Sequence, residues 1–378
     1  MNTPAHCWRA ALALLFLFAG SPLLGQQSLE SRGLQVQGWL QFDSSHAFSG
    51  GLPHALGYDG QYLLDLSVTV DTNKLLGWPG GTLLIDGQSH GGPSILNRQM
   101  AAIQDPDNMD AETEASLDRA WFQQNLWHKK LQVQAGLMYV DDQFLTVPFG
   151  QNFVSLNFSS DASISTFVLP TFPKGSFGAD TFWYPTQSLY ASFGVFNDHS
   201  TELPYDPGGR LYISEEGWQN SWDRLPYKLQ VGFWRDTGRF QRYRGGLVDH
   251  ASGAYLIASQ KLWHPAASTT RGLGAFLQLG SAPKAVAPIA RHVGAGVVWT
   301  GPWAARPHDE MGVAFSYGVV SSQNPGFTQH FENEIETYYQ IALGSNLTIQ
   351  PDLEFWQHPS GTNEPSTLLG LVRMTLNF

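Results

Sequence analysis

The stretch T-L-L-G-L-V-R-M-T-L-N-F, residues 367–378, decides the fold class. Its even-numbered positions, from Leu368 to Phe378, are apolar or glycine, whereas its odd-numbered positions are strictly polar from Arg373 onward. A period of two is typical of a β-strand with one apolar and one polar face. Chain termini normally fray into polar residues. We therefore expect this last strand to close a sheet against another part of the chain.

The N-terminal segment has the composition of a secretory signal peptide. Arg9 precedes the apolar run 10–20, and residues 21–25 form a plausible cleavage region, which predicts removal of residues 1–25 after Gly25. The apolar run is shorter than the ~20 residues that a transmembrane helix needs. Cys7, the only cysteine, lies inside this segment, so we expect no disulfide in the remaining chain.

Composition separates this chain from ordinary soluble enzymes. Charged residues make up only 14% of the chain, whereas aromatic residues make up 13%. The formal net charge is −11 and becomes −12 when Arg9 leaves with the signal segment. An acidic exported chain without a basic patch is a poor nucleic-acid binder. Few charges and many aromatics favour a β-protein whose outer surface faces lipid.

Alternating segments recur along the whole chain and predict about sixteen strands. The clearest alternation covers residues 33–42, 61–71, 131–139, 227–236, 331–343, 346–356 and 367–378. Weaker alternation covers residues 81–90, 117–127, 177–184, 189–197, 209–219, 252–263, 272–280, 290–300 and 309–320. No linker divides the chain, so residues 26–378 are predicted to form one domain. The predicted fold is an all-β transmembrane antiparallel β-barrel.

The connections between these segments differ in length in a regular way. Short joints are predicted at 128–130, 185–188 and 344–346, and long ones at 43–60, 91–116, 141–176 and 198–208. Outer-membrane barrels have short periplasmic turns and long extracellular loops. An even number of strands brings both chain termini to the periplasmic end of the barrel. A periplasmic β-sandwich or β-helix is the alternative, because both also alternate.

Several blocks of sequence carry a resemblance to a known family. They include W-P-G-G at 78–81, R-P-H-D at 306–309, E-I-E-T-Y-Y at 334–339 and Q-P-D-L at 350–353. Their order and spacing over residues 58–378 resemble the OprB family of carbohydrate-selective porins. The resemblance implies a sixteen-stranded outer-membrane barrel through which sugars diffuse. Leu137 stands where the family has a basic residue, and residues 91–106 have no clear counterpart.

A sugar pore needs hydrogen-bonding side chains, aromatic faces and opposed charges around a narrow lumen. Strand parity places Glu334, Glu336, Glu354 and Arg373 inside, on three consecutive strands. They form either a transport surface or a salt-bridged cluster that satisfies the lumen wall. Residues Arg119 and Trp121 are also expected to face inward.

The 141–176 connection is too long for a simple cap. In porins the third extracellular loop commonly folds into the pore, and here it would bring Asp141, Asp142 and Lys174 to the constriction. A solvated surface loop is the alternative. Residues 93–104 are predicted to form a short helix with Arg98 directed into the mouth of the barrel.

The sequence offers few motifs that would indicate a bound cofactor or a catalytic site. The segment D-P-D-N-M-D-A-E at 105–112 resembles a calcium loop but lacks the glycine and the glutamate spacing of an EF-hand. We therefore expect no cofactor, with bound calcium as the alternative. Neither H-E-x-x-H nor G-x-S-x-G occurs, so we expect a channel and no enzyme. An outer-membrane barrel enzyme of lipase or protease type and a general non-selective diffusion porin are the other hypotheses.

The predicted location is the outer membrane of a Gram-negative bacterium, with small carbohydrates and outer-membrane lipids as partners. Resemblance to barrels that end in an aromatic residue implies that Phe378 is recognised by the barrel-assembly machinery. Monomer and homotrimer both remain open. Since Glu334, Glu336 and Glu354 are expected to project inward beside Arg373 and the mature chain is acidic, the lumen is expected to prefer cations weakly. Salt screens such a preference beyond ~8 Å.

Overall fold

The protein is described here by a computed structural model that covers residues 29–52, 57–197, 209–266, 268 and 270–378. Within these residues, sixteen strands form one closed antiparallel barrel, which confirms the predicted fold class. The predicted signal segment, Cys7 included, lies outside the described residues. Its cleavage stays a prediction.

The first half of the barrel contains β1 (Leu34–Ser49), β2 (Asp59–Asp71), β3 (Gly81–Gly91), β4 (Glu114–Leu126), β5 (Leu131–Met138), β6 (Ser176–Trp183), β7 (Leu189–Asn197) and β8 (Arg210–Trp222). The second half contains β9 (Leu225–Asp236), β12 (Ala251–Trp263), β13 (Gly272–Ser281), β14 (Ile289–Thr300), β15 (Glu310–Val320), β16 (Phe331–Leu343), β17 (Leu347–Gln357) and β18 (Thr367–Asn377). Between β9 and β12, the short strands β10 (Phe240–Gln241) and β11 (Leu247–Val248) pair only with each other.

Short helices lie in the connections: α1 (Thr72–Leu76), α2 (Ile95–Arg98), α3 (Leu156–Ser159) and α4 (Ala162–Ser165). None of the helices in the described part of the chain has the length and apolarity needed to cross a membrane. The helix predicted within residues 93–104 is present as α2, which is shorter than the predicted segment.

Strands β1 and β18 close the barrel. Cα partners run without a break from Trp39 and Asn377 to Ala47 and Leu369. Beyond the strand end, Phe378 and Gly38 exchange two backbone hydrogen bonds of 2.9 Å. A Cβ atom on Gly38 would lie 2.5 Å from the Phe378 ring, so the glycine leaves room for that ring. Closure removes the exposed edges that an open sheet would present to lipid.

Strand β1 is longer than its alternation predicted. The prediction ended at Phe42 and assigned residues 43–60 to a loop, whereas β1 continues to Ser49. Asp43 and Ser45 face inward and are buried, and the residues between them continue the pairing with β18. The polar run D-S-S-H resembles a loop in the sequence because both of its faces are polar.

The outer surface of the barrel is apolar. Outward-facing side chains along the strands remain exposed, among them Leu66, Ile85, Phe193, Val313, Ile335, Phe355 and Val372. Water-soluble monomers rarely expose contiguous apolar surface of this extent. A band of this kind around a closed barrel is the surface that contacts lipid in outer-membrane proteins.

Tryptophans encircle one end of the barrel. Six of them lie at six different short turns and are each at least half exposed: Trp78, Trp127, Trp183, Trp222, Trp263 and Trp303. Indole rings are favoured at the membrane–water interface because one edge is polar and the body is apolar. This end of the barrel therefore lies at a membrane–water interface, and its short turns are typical of the periplasmic side of outer-membrane barrels.

Connections at the two ends of the described barrel differ as predicted. The tightest turn contains only Asp223 and Arg224, whose φ angles of 49° and 63° match the type I′ hairpin. Predicted joints at 128–130, 185–188 and 344–346 are all on this turn end. The long connections that follow β3 and β5 leave from the opposite, extracellular end.

We expect deletion of Phe378 to lower the amount of folded barrel in the membrane, because it removes the two hydrogen bonds to Gly38 and the ring packed over it. Heat-modifiable mobility on SDS gels measures the folded fraction. Phe355→Ala, on the lipid-facing side of β17, is the matched control and should keep a parental yield. A parental yield after the deletion would show that closure does not depend on this residue.

Candidate functional site: a lumen narrowed by the third extracellular loop

Residues 139–175, here called the constriction loop, connect β5 to β6 and enter the barrel. On the far wall, the Glu336 carboxylate on β16 accepts hydrogen bonds from the backbone N–H groups of Val154 (2.7 Å) and Ser155 (3.1 Å). On β13, Gln278 donates to the carbonyl oxygens of Asn157 (3.1 Å) and Phe158 (3.0 Å). Since β13 and β16 lie roughly half-way around the barrel from β5, the loop crosses the lumen.

Aromatic packing holds the loop inside. The rings of Phe153 and Phe158 lie 4.9 Å apart, and Phe153 also lies 4.9 Å from Tyr338 on β16. Phe144 and Ile164 are fully buried in the same cluster. Each buried side chain of this size contributes about 1.5–3 kcal/mol. The structure therefore agrees with the prediction that this segment folds into the pore, and not with the alternative of a solvated surface loop.

Buried carboxylates on the strands satisfy loop backbone groups. Glu215 on β8 accepts from the Leu145 N–H (3.1 Å) and from the hydroxyls of Tyr190 (2.6 Å) and Tyr255 (2.8 Å). Glu332 on β16 accepts from the N–H groups of residues in the loop that follows β3. Loop N–H groups inside a barrel need such acceptors, because an unpaired buried donor costs about 1–3 kcal/mol.

The loop fills only part of the lumen. At mid-height, inward-facing residues of β8 to β16 are almost completely buried, among them Glu215, Gln230, Gln278, His292, Ser316 and Glu334. On β1 to β5, the inward-facing residues Asp65, Asp86 and Gln134 are buried as well. Other inward-facing residues of these strands are accessible, and they include Gln37, Trp39, Gln41, Thr69, Arg119, Gln123 and Gln132. We call this second set the open wall. It is rich in amides, which neither accept nor release protons at neutral pH.

Arg119 occupies the open wall on β4. Its Nε lies 2.5 Å from Asp86 Oδ2, and its Nη1 lies 3.1 Å from Asp142 Oδ2 in the constriction loop. Asp65 lies 3.6 Å away on β2. The predicted inward direction of Arg119 agrees with this geometry, and its charge connects the barrel wall to the loop. Trp121, also inward, packs against the loop's apolar cluster. Their roles in transport remain predictions.

Arg373 is buried and belongs to a different network from the one predicted. Its Nη2 lies 2.6 Å from Asp43 and 3.0 Å from Asp107. Asp107 belongs to the loop after β3, so Arg373 ties that loop to the closing strands. A salt-bridged cluster of Arg373 with the neighbouring glutamates was one expectation, but the ion pairs of Arg373 in the described chain are with aspartates.

Glu334, Glu336 and Glu354 point inward, as their parity indicated. All three are completely buried under the constriction loop, and this differs from the expectation that they border open lumen. Alternation reports the direction of a side chain but not what covers it. A contribution of these residues to transport remains a prediction.

The three predicted loop residues lie at different depths. Asp141 accepts a hydrogen bond of 2.5 Å from the Thr171 hydroxyl within the loop, and Asp142 pairs with Arg119. Lys174 lies near the end of the loop, 3.5 Å from Glu114 at the start of β4, and is half exposed. Burial, together with the neighbouring Asp142, raises the pKa of Asp141 to about 7, although the Thr171 hydrogen bond acts in the opposite direction.

The 105–112 segment forms part of the loop after β3. Asp107 pairs with Arg373, and Asp110 accepts hydrogen bonds from Gln61 (2.9 Å), Ser94 (3.0 Å) and the Leu96 N–H (3.2 Å). Protein donors thus occupy the Asp110 carboxylate and one oxygen of Asp107, and calcium binding by this segment stays a prediction. In the same region, Arg98 lies 3.0 Å from Asp59 and is half exposed at the mouth, as predicted.

Sequence reasoning missed several residues of the site. The amides of Gln132 and Gln134 on β5 lie within 3.5 Å of Gln143 in the constriction loop. Asp65 and Asp86 hold Arg119. The alternation along β2 and β5 indicated which side chains point inward. It did not indicate which strand or loop residue each of them would contact.

Residues 54–378 match the family model described as "Carbohydrate-selective porin, OprB family". The chain belongs to the OprB family of carbohydrate-selective porins. Porin B of Pseudomonas aeruginosa is 22% identical over 373 residues, which cover 83% of this chain and 82% of that protein. It follows that this porin is a sugar-selective channel of the outer membrane, from a family of channels rather than enzymes.

Solved structures have the same fold as this porin. The high-pH structure of Pseudomonas putida OprB has a TM-score of 0.87 at 17% identity and covers 94% of this chain and 96% of that one. The low-pH structure of the same protein has a TM-score of 0.64 at 16% identity, covering 94% and 95%. The channel DcaP of Acinetobacter baumannii has a TM-score of 0.58 at 7% identity, covering 91% and 97%.

We expect Arg119→Gln to make the porin more cation-selective, because Asp86 and Asp142 lose their shared cation. Leaving the buried Asp86 carboxylate without its cation should also lower the free energy of unfolding by about 3 kcal/mol. Reversal potentials in a dilute KCl gradient measure the selectivity. Arg239→Gln, which removes an exposed extracellular ion pair with Asp249, is the control and should leave the potential unchanged. An unchanged potential for Arg119→Gln would place Arg119 off the ion path.

The pKa of Asp141 predicts a pH-dependent ion preference. Below about pH 7 its carboxyl is protonated, and above that value the constriction gains one negative charge, so cation preference should rise between pH 6 and pH 8. Asp141→Asn should flatten this rise. The control Asp249→Asn, on an exposed extracellular residue, should retain it. A rise that persists in Asp141→Asn would assign it to another group.

Proposed function

We propose that neutral sugars cross the outer membrane along the open wall, between the constriction loop and the inner faces of β1 to β5. The observation that carries this proposal is a difference in exposure: Glu215, Gln278 and Glu334 on the opposite wall are fully buried, whereas Gln37, Gln41, Gln123 and Gln132 are accessible. Amides donate and accept hydrogen bonds in the way that sugar hydroxyls require. No residue of the open wall needs to change protonation for a sugar to pass.

Aromatic side chains on the same wall support a preference for ring-shaped solutes. Trp39 on β1 and Trp121 on β4 both face inward and keep partial exposure. The apolar face of a pyranose packs against an indole ring, while its hydroxyls remain directed towards the amides. Arg119 and Asp142 add an opposed pair of charges beside this path. We propose Arg119, Trp121, Asp141 and Asp142 as residues of the constriction, and Lys174 as a residue of its approach.

Liposome swelling tests the proposal. Glucose, as a cyclic test solute, should enter faster than sorbitol, a linear polyol of similar mass. We expect Trp39→Ala to lower the ratio of the glucose rate to the sorbitol rate, even though the wider lumen raises both rates. Trp127→Ala, at a periplasmic turn, is the matched control and should keep the parental ratio. Equal ratios in parent and Trp39→Ala would exclude Trp39 from the sugar path.

A general diffusion porin is the alternative that the same assay separates. Shortening the constriction loop between residues 150 and 160 should convert a selective channel into a wide one that admits disaccharides, provided that the barrel still shows heat-modifiable mobility. If the parent already admits disaccharides and monosaccharides at rates set by size alone, the non-selective alternative is correct.

We further propose that the signal segment is cleaved after Gly25 and that the assembly machinery reads the C-terminal strand with Phe378. Outer-membrane lipids would then contact the exposed apolar band. Monomer and trimer stay alternatives, because outward apolar residues serve lipid and subunit contacts alike.

A further inference from the structure

Three glutamates lie together on the inner face of the barrel wall. Glu336 on β16 and Glu354 on β17 are direct cross-strand partners, and Glu334 lies two residues from Glu336 on the same face. All three are completely buried. Like charges directly opposite each other destabilise a sheet. The salt bridges among the described residues include none to these glutamates, because Arg373 on the next strand is engaged by Asp43 and Asp107.

Carboxylate oxygens in this cluster also lack hydrogen-bond donors. Glu334 Oε2 accepts from Ser155 and Asn157, and Glu354 Oε2 accepts from the Trp356 indole N–H. The other oxygen of each, Oε1, is buried without a hydrogen-bond partner. The amide oxygen of Asn157 is buried without a partner beside them.

Other buried glutamates in the same barrel show that this arrangement is unusual. Both oxygens of Glu332 accept loop N–H groups, and both oxygens of Glu215 accept N–H or hydroxyl donors. These two are therefore satisfied by the protein alone. In contrast, Glu334 and Glu354 each keep one buried oxygen without a donor, next to Glu336, whose two oxygens accept the N–H groups of Val154 and Ser155.

The spacing of the cluster fits one calcium ion. One oxygen from each of the three carboxylates lies within 4.8 Å of the other two. Calcium binds oxygen ligands at about 2.3–2.6 Å, so two ligands on opposite sides of the ion can be ~4.6–5.2 Å apart. Magnesium prefers shorter distances of about 2.0–2.1 Å and retains several waters, which suits this enclosed site less well. Zinc favours nitrogen and sulfur ligands, and the cluster contains neither.

We propose that Glu334, Glu336 and Glu354 bind a calcium ion that fastens the constriction loop to the barrel wall. Two of the three ligands already hold that loop: Glu336 accepts the N–H groups of Val154 and Ser155, and Glu334 accepts from the side chains of Ser155 and Asn157. The ion offsets the three negative charges that the loop covers. The site is separate from the 105–112 segment, whose aspartates have protein partners.

Terbium luminescence provides a direct probe of the site. Tb³⁺ replaces Ca²⁺ at oxygen sites, and the Trp356 indole is hydrogen-bonded to the proposed ligand Glu354 at 2.7 Å, so excitation of tryptophan should sensitise Tb³⁺ emission. The full barrel, purified in detergent and treated with EDTA, should give saturable emission that Ca²⁺ displaces at one ion per chain. Mg²⁺ should displace it only at much higher concentration.

Glu336→Gln and Glu354→Gln should each weaken Tb³⁺ and Ca²⁺ binding at least ~10-fold, the lower limit seen even for residues that only support metal ligands. Glu332→Gln is the matched control, because Glu332 is equally buried on the same face of β16 but accepts only protein donors. It should keep parental binding. Heat-modifiable mobility verifies that each variant is folded.

Thermal unfolding gives a second readout that does not depend on sugar transport. EDTA should lower the unfolding temperature of the parent, and Ca²⁺ should restore it, because a ligand that binds only the folded state stabilises it. EDTA should have no effect on Glu354→Gln.

If the parent does not respond to EDTA or Ca²⁺ and Glu354→Gln is more stable than the parent, the carboxyls are protonated and the proposal is wrong. Equal loss of Tb³⁺ emission in Glu332→Gln would also overturn it. If both glutamine variants misfold, Ca²⁺ binding is measured on the parent alone. Binding of one ion per folded chain, and none by the heat-denatured chain, would support the proposal, and no binding by the folded chain would contradict it.

Discussion

Backbone hydrogen bonding in lipid is the constraint on which this structure depends. Hydrocarbon offers no partner to an N–H or C=O group, so a sheet that crosses the membrane must pair every strand on both sides. The pairing of β1 with β18 meets this requirement, and the contact of Phe378 with Gly38 extends it past the last strand. The other features follow from closure: an even number of strands, short turns at one end, and a lumen that must be filled or hydrated.

The same constraint operates inside the lumen, where the constriction loop is enclosed by protein. Its backbone groups are buried and need partners that water does not supply. Carboxylates on the strands act as these partners, as at Glu215 for Leu145 and at Glu336 for Val154 and Ser155. Charged acceptors form stronger hydrogen bonds than neutral ones, but each adds an unscreened negative charge. Protein donors satisfy a single anchor such as Glu215, but where Glu334, Glu336 and Glu354 lie together their mutual repulsion must also be offset.

How far the sequence predicts the molecule depends on the range of the interactions involved. Alternation is local, and it identified the strands, the closing strand and the inward direction of Arg119, Glu334 and Arg373. Pairing between distant segments has no local signal. The sequence therefore did not reveal that Asp43 and Asp107 hold Arg373, or that residues 153–157 cover the glutamates. The end of β1 was also missed, because residues 43–49 are polar on both faces and become a strand only through β18.

Net charge is a poor guide to what an ion or sugar meets in this lumen. The acidic chain and the inward direction of Glu334, Glu336 and Glu354 were the reasons to expect a weak preference for cations. Yet Glu215, Glu332, Glu334, Glu336 and Glu354 are all completely buried, and their hydrogen bonds lie within the protein. The accessible charges beside the path are few: Arg119 with Asp142 at the constriction, Arg98 at the mouth and Lys174 with Glu114. Positive and negative groups nearly balance in this set, while amides and two tryptophans make up much of the remaining open wall. A lumen of this composition interacts with hydroxyl groups and sugar rings more than with net charge, so its selectivity depends on hydrogen-bond geometry and on how firmly the constriction loop is held.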